Sequence, residues 1–446
     1  MILDEHPGCE MVIMIEWAFK GKINRDLIVE AYKRVVKHEP LFKAVLSKEK
    51  YRFNWNVDDQ FLMPLLFETT EKSIEQDEGT RNVLPINIEK CCGKIIIREY
   101  IDGVAFEFYI HHTIGDGIGV NQFLADWIKE YDLLLHDQDN TEELNYHPDV
   151  SLFGRRAESH FVPSKQFSFA TMLYTRYKGI IQWLLHRPLS ILKKPKATSA
   201  QLSDQRPMYW RRFGQEFFLQ YKQLAKTKGV SVNTLMMRDL FITLRKWIEK
   251  YPVDNTAVER QKRWFRLLMP MNIRTDFHRT IPCAMIVGYI FIDRKPVECD
   301  RSKEFLDGIH DKITTCRNFN LGTSFTNGIA FVDKFPSLLS RLITDKYCYC
   351  TITLSSVGNI CKSCQQEDYR NNDDIKVEHD QCPLQLFRMI GAPPIRPHMP
   401  ISIGVMQRQN EAFISCQYDL NAMSEQTMME FYNMFVEEMK QTLEDG

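Results

Sequence analysis

Apolar and polar residues alternate with two different periods along this chain, and the switches between them mark its elements. Residues 11–19, MVIMIEWAF, are an almost unbroken apolar run of strand length, which predicts a buried strand. KGKIN then turns the chain, and Asn24 is placed to cap a helix. Leu27, Ala31 and Val35 recur at a spacing of four, beside Ile28, Tyr32 and Val36. That is one apolar helix face. Pro40 ends it, and LFKAVLS follows as a strand. Residues 94–101 and 104–110 flank Asp102-Gly103, the dipeptide of a tight hairpin. The second of these runs leads directly into His111 and His112. Phe123, Trp127 and Tyr131 then fall at helical spacing, so FYIHHTIGDGIGVNQFLADW reads as strand, tight turn and helix.

Residues 137–206 lose this regularity and suit a crossover between two halves. Within them RYKGIIQWLLHRPLSILKKPK is basic at its ends and apolar inside. Pro188 and Pro195 break any long amphipathic helix there, which favours a short docked helix with solvated lysines over a membrane-surface element. An α/β pattern restarts after this segment. YWRRF is a candidate strand, 216–227 a helix, and GVSVN the cap of the helix TLMMRDLFITLRKWIEKY. RWFRLLMPMNIR, AMIVGYIFID and CYCTITLSSVGNI read as strands. MPISIGVMQRQNEAFISCQYDL reads as a hairpin, and SEQTMMEFYNMFVEEMKQTLE as a closing helix. The expected division is 1–150, a crossover at 151–206, and 207–446.

Length agrees with two lobes, because 446 residues exceed the roughly 250–300 at which single cores stop growing. A net charge of −1 lacks the basic excess of a nucleic-acid binder. No window holds 18 consecutive apolar residues, and MILDEHPGCE has no basic region ahead of an apolar run. No membrane span and no secretory signal are therefore expected. Twelve cysteines without such a signal read as reduced thiols in a cytoplasmic chain.

The chemistry concentrates at HHTIGDG. A histidine can exchange a proton near neutral pH, provided its ring is held in one tautomer. Gly115 and Gly117 are expected to take positive φ and fold His112 and Asp116 onto one turn. Asp116 either meets the ring or pins the loop by pairing with a distant arginine. A shared metal is disfavoured, because adjacent residues of a strand point to opposite faces. By chance alone, H-H-x-x-x-D-G would arise in a chain this long on the order of once in a thousand sequences.

HHTIGDG, placed after a strand and before a helix, resembles the H-H-x-x-x-D-G signature of the condensation-domain and chloramphenicol acetyltransferase-like superfamily of CoA-dependent acyltransferases. EWAFKGKINRDLIVEAYKRVVKHEPLFKAVL is similar to the family's opening segment, KGVSVNTLMMRDLFITLRKW to its second-lobe helix, and PMNIR to the segment carrying an arginine partner for the motif aspartate. LSSVGNI lies where a serine- or asparagine-bearing strand end is usual. The resemblance implies an α/β (α+β) fold: two lobes in a V, each a mixed sheet flanked by helices, with a tunnel between them. His112 aligns with the general base and His111 with the supporting histidine. Asp116 resembles the aspartate that holds the loop, with Arg274 as its partner, and Gly117 closes the turn. Ser356, or a backbone N–H beside it, is the candidate oxyanion donor.

The implied activity is transfer of an acyl group from a thioester to a hydroxyl or amine, by a freestanding acyltransferase. The alternatives are a condensation-type enzyme fed by carrier proteins and an idle relative that binds a carrier or partner. Acyl-CoA or acyl carrier protein would be a co-substrate, a small alcohol or amine the acceptor, and no cofactor or metal is expected. In two places the sequence departs from the family. CAMIVGY stands where some members carry Gly-Asn, leaving only Gly288, and the D-F-G-W-G of the plant branch is absent. Cys348, Cys350, Cys361 and Cys364, with His379 and Cys382, could converge on zinc. The C-x-C lead makes buried free thiols the expected reading. QQEDYRNNDDIKVEHDQ, polar and acidic, reads as a surface insertion.

Overall fold

The computed structural model describes residues 9–49, 52–58, 61–136, 149, 151, 169–192, 206–252, 263–275, 278, 281, 283–332, 334, 347–359 and 384–446. In the first half, β1 (Val12–Lys20), α1 (Arg25–Val36), β2 (Ala44–Glu49), β3 (Arg52–Val57), β4 (Leu65–Thr69), β5 (Gly79–Asn82), β6 (Gly93–Glu99), β7 (Gly103–His111) and α2 (Gly117–His136) follow one another. Next come α3 (Phe169–Leu185), β8 (Pro207–Phe213), α4 (Gln215–Thr227), α5 (Val232–Lys250), β9 (Phe265–Asn272) and β10 (Val287–Arg294). The chain closes with α6 (Lys303–Asn318), α7 (Leu321–Val332), β11 (Ile352–Asn359), β12 (Gln385–Ala392), β13 (Ile401–Arg408), β14 (Glu411–Tyr418) and α8 (Glu425–Glu444).

These elements build two mixed sheets flanked by helices, one per lobe. The five-stranded sheet runs β12-β1-β7-β6-β4 and the seven-stranded sheet β10-β9-β11-β13-β14-β8-β5, while β2 and β3 pair separately. Local signals set many boundaries. Asn24 accepts the backbone N–H groups of Asp26 and Leu27, and Ser231, Ser424 and Ser302 cap α5, α8 and α6 through their side chains. Phe123, Trp127 and Tyr131 are buried together, with Phe106 and Phe108 of β7 packed edge-on against Trp127. No described helix is long and apolar enough to cross a membrane.

The sheets exchange strands. β12, from late in the chain, pairs antiparallel with β1, and β5, from early in it, pairs with β8. Buried charges fasten the exchange. Arg388 of β12 is 1% exposed. Its Nε donates to Glu16 of β1 at 2.7 Å, its Nη1 to the carbonyls of Ile74 and Asp77, and its Nη2 to the Asp77 carboxylate at 3.2 Å. Its guanidinium also lies 4.8 Å from the Trp210 ring of β8. Glu16 faces Glu107 across β1 and β7, and Arg81 and Arg98 supply the opposing charge. A buried ion group stands only when its hydrogen-bonding capacity is met, and Arg388 meets that requirement.

Two expectations need correcting. Gly115 and Gly117 are absent from the residues with positive φ, which include Gly21, Gly79, Gly229 and Gly358. Their need is for space: a Cβ at Gly115 would come within 3.1 Å of Cys283 Sγ, and one at Gly117 within 3.2 Å of Val357. Strand β11 begins at Ile352, so Cys348 and Cys350 precede it rather than sharing a strand face. The Cys348 thiol donates to the Cys350 carbonyl at 3.2 Å, and no group of three potential ligands gathers among the described residues. Cys361, Cys364, His379, Cys382, Pro195 and the acidic run at 365–381 lie outside the described residues.

Candidate active site

The turn between β7 and α2 holds its side chains by short, specific bonds. His112 donates its backbone N–H to the Met11 carbonyl at 2.7 Å, which ties the turn to the start of β1. Its Nδ1 lies 2.9 Å from the Gly115 carbonyl. A carbonyl only accepts, so Nδ1 carries the proton. Nε2 then keeps its lone pair and has no hydrogen-bond partner among the described residues. Burial pushes the His112 pKa below the ordinary histidine value; the charge of Asp116 and the Gly115 carbonyl oppose this without cancelling it. The ring is thus a neutral base at pH 7 with a single available nitrogen.

His111 points the other way, as alternation in a strand requires. It is fully buried, and its Nδ1 lies 2.7 Å from the Thr113 hydroxyl. It braces the turn from the core side and does not line the cavity.

Asp116 does not touch the His112 ring through any hydrogen bond seen here; it pins the loop. Arg274 donates Nη1 to Oδ2 at 2.8 Å and Nη2 to Oδ1 at 2.9 Å, in a fork-to-fork pair. Asp116 also accepts the Gly119 N–H at 2.9 Å, capping α2, and the Ile286 N–H at 2.8 Å. Burial favours the protonated form, but Arg274 and the Gly119 and Ile286 N–H groups together more than offset it, and the carboxyl stays below the usual aspartate range. Arg274 reaches on to the Ala284 carbonyl at 2.9 Å. One carboxylate therefore joins the His112 turn of the first lobe to the end of β9 and the start of β10 in the second. The Arg274 partnership was legible in PMNIR. The Ile286 and Met11 backbone contacts carry no side-chain signature and could not have been read from sequence.

Ser356 arrives from the second sheet. The pairing of β11 with β13 shifts register between Ser356 and Gly358, and Gly358 takes φ 78°. Such bulges re-aim side chains. Here Val357 comes against Gly117, and Ser355 and Ser356 line the same cavity as His112. The Ser356 hydroxyl is buried without a hydrogen-bond partner among the described residues. Gly288 has a packing role: a Cβ there would lie 2.7 Å from the Gly322 carbonyl carbon, so β10 and α7 touch backbone to backbone.

The cavity measures about 1780 Å³, well beyond the roughly 300–1,000 Å³ of ordinary small-molecule sites. Met11, His112, Asp116, Gly117 and Ile118 form its first-lobe end. Most of the rest is walled by α3 of the crossover and by β9, β10, β11, α6 and α7 of the second half. The helix read within RYKGIIQWLLHRPLSILKKPK, residues 176–196, was expected to dock somewhere. Its role as a cavity wall, and that of α7, were missed, although LGTSFTNGIAFV is apolar enough to have been read as a buried helix.

Comparison with solved structures places the fold. SgcC5 protein from Streptomyces globisporus, solved with (R)-(-)-1-(2-naphthyl)-1,2-ethanediol and sucrose, superposes with a TM-score of 0.66 at 11% identity, over 99% of this chain and 94% of its own. The first condensation domain of the CDA synthetase gives 0.68 at 9% identity, over 98% and 92%. The condensation domain of the monacolin K polyketide synthase MokA gives 0.62 at 9%, over 97% and 92%. No family model and no curated protein matches the sequence. The chain has the two-lobe architecture of these condensation domains.

Proposed function

We propose that this protein transfers an acyl group from a thioester to a hydroxyl or amine, with His112 as general base. The observation that carries the reading is the state of His112: one nitrogen is spent on the Gly115 carbonyl, the other has no partner among the described residues, and the residue lines a cavity between two lobes. A thioester is already activated, so no covalent enzyme intermediate is required. His112 Nε2 accepts the proton of the incoming nucleophile as it attacks the carbonyl. That proton then leaves with the thiolate as the tetrahedral adduct collapses. Ser356, at the bulge of β11, is the proposed donor to the developing oxyanion. Asp116 and Arg274 act through the backbone, holding the turn and both lobes in register.

For the donor, a thioester on a carrier protein is the better supported form. The solved chains that share the fold include condensation domains and an epimerization domain of peptide and polyketide synthetases. A freestanding use of acyl-CoA is the second form, and both end in the same pantetheine thioester. The test is thiol release from acyl-pantetheine, acyl-CoA and acyl carrier protein in the presence of alcohol and amine pools. Wild-type protein should turn over at least one pairing, and His112→Ala should lose about 10²–10⁴-fold while melting normally. Full turnover by a folded His112→Ala protein refutes the assignment.

A further inference from the structure

The proposed transfer leaves most of the cavity unused, and the register of its floor gives that remainder a length. β9 and β10 pair antiparallel from Asn272–Val287 to Arg266–Asp293. Asp116 grips both strands beside the first rung, through Arg274 and Ile286, so that rung lies at the His112 end. Six residues further along, Arg266 forks onto Asp293 at 2.7 and 2.8 Å and also holds the Trp183 and His186 carbonyls of the α3 terminus. His186 Nδ1 closes the group at 2.8 Å from Asp293. Six residues at about 3.4 Å each separate the two ends by roughly 20 Å.

The floor between them is apolar. Residues Phe265, Leu267, Ile290 and Ile292 turn into the lobe core. Alternation sends Leu268, Pro270, Tyr289 and Phe291 to the cavity face. Trp183 of α3 and Phe325 of α7 roof it, with the Phe291 and Phe325 rings 5.0 Å apart and the Trp183 and Phe325 rings 5.6 Å apart. Two glycines keep the roof thin. Gly179 of α3 and Gly328 of α7 both line the cavity, and a Cβ at either would meet nothing within 4 Å. Helix interiors disfavour glycine by about 1 kcal/mol against alanine, so these positions leave open space where a side chain would stabilise the helix. The charges at that end are already mutually paired, which suits a passing apolar chain better than a phosphate subsite, and the cavity continues past them to Arg294, Glu298 and Gly308.

We infer that this channel holds the hydrocarbon tail of a long-chain acyl group, extended along β9 and β10 from the thioester at His112 toward Asp293. At about 1.25 Å per methylene, from the carbon–carbon bond length and tetrahedral angle, this stretch takes roughly 14–16 carbons, and the cavity continues beyond it. The inference rests on the acyl-transfer reading for its thioester, but its test does not depend on turnover.

The test is binding of S-ethyl, S-octyl, S-dodecyl and S-hexadecyl pantetheine thioethers, which cannot react, by calorimetry to wild type, Gly179→Phe and His112→Ala. Burial of each methylene should tighten binding about fourfold. In wild type and His112→Ala the gain should continue to at least dodecyl. In Gly179→Phe it should stop several methylenes earlier, lowering the hexadecyl-to-octyl affinity ratio by about a hundredfold, with S-ethyl binding unchanged. Affinity independent of chain length in wild type overturns the proposal and assigns the channel to another ligand. So does an unaltered ratio in a Gly179→Phe protein that melts at or above the wild-type temperature. Chain-dependent binding without acyl transfer to any acceptor would leave the channel standing and remove the catalytic reading.

Discussion

Removing Arg274 should convert Asp116 from a stabilising group into a destabilising one, and the change has a pH signature. In the wild type, the folded carboxyl lies below its ordinary value. Its contribution is complete above the unfolded pKa of about 3.9 and is lost as pH falls through the folded value. In Arg274→Ala only the Gly119 and Ile286 N–H groups remain to Asp116. Burial, the largest influence on this carboxyl, then raises its folded pKa. The sign reverses: the variant is least penalised below about 3.9 and loses stability as pH rises through the raised value. Breaking a buried pair by deleting one partner costs about 3–5 kcal/mol. For a chain of 446 residues, an unfolding entropy of about 2.1 cal/mol/K per residue gives roughly 1 °C per kcal/mol, a Tm deficit of about 3–5 °C near neutral pH. Calorimetric melts from pH 4 to 8 should show that deficit widening toward neutral pH, and adding Asp116→Asn should recover part of it. A deficit that does not vary with pH, or a Tm equal to wild type at pH 7, would refute the reasoning.

Further outcomes follow from the same geometry. Because His112 sits below its ordinary pKa, the acid limb of the kcat/KM profile should fall below about 6.5, with a plateau through neutral pH; a limb above 7 contradicts the assigned environment. The same depression means that His112 stabilises the fold above its unfolded pKa and withdraws that contribution as pH drops through the folded value. Ser356→Ala should lower kcat by about 10²-fold if the hydroxyl serves the oxyanion, with Tm unchanged or raised because an unpartnered buried polar atom is removed; unchanged kcat transfers that role to a backbone N–H. Gly288→Ala sets a methyl 2.7 Å from the Gly322 backbone and should cost about 1–3 kcal/mol by overpacking, read as a lower denaturation midpoint, whereas a neutral effect would mean that α7 shifts freely on β10.

How much of this was legible differs from feature to feature. The strand, turn and helix around HHTIGDG were written in local pattern, because β7 is a nearly continuous apolar run of strand length, α2 carries its aromatics at helical spacing, and the Asp102-Gly103 hairpin has a two-residue signature. His111, His112 and Asp116 were nameable because each is chemically distinctive and stands in a spaced motif, and Arg274 because PMNIR resembles the family segment that carries an arginine. The choice between Asp116 meeting the ring and pinning the loop was not legible, since it depends on where Arg274, Ile286 and Gly119 lie in space. β12 was missed because its partner strand lies some 370 residues earlier, as Glu16 and Arg388 are, and pairing at that separation leaves no local period. β5 is only four residues, and α6 and α7 went unread for want of a distinctive motif. The glycines of the turn were misassigned because sequence shows that a side chain is absent but not whether conformation or space requires it; contacts with Cys283 and Val357 decide for space. Pattern and chemistry, both local, determined the elements and the candidate histidine. Only the tertiary structure decided the exchange of strands between sheets, the clamp from Asp116 into the second lobe, and the 20 Å floor of β9 and β10, because each is a relation between segments that approach one another only after the chain has folded.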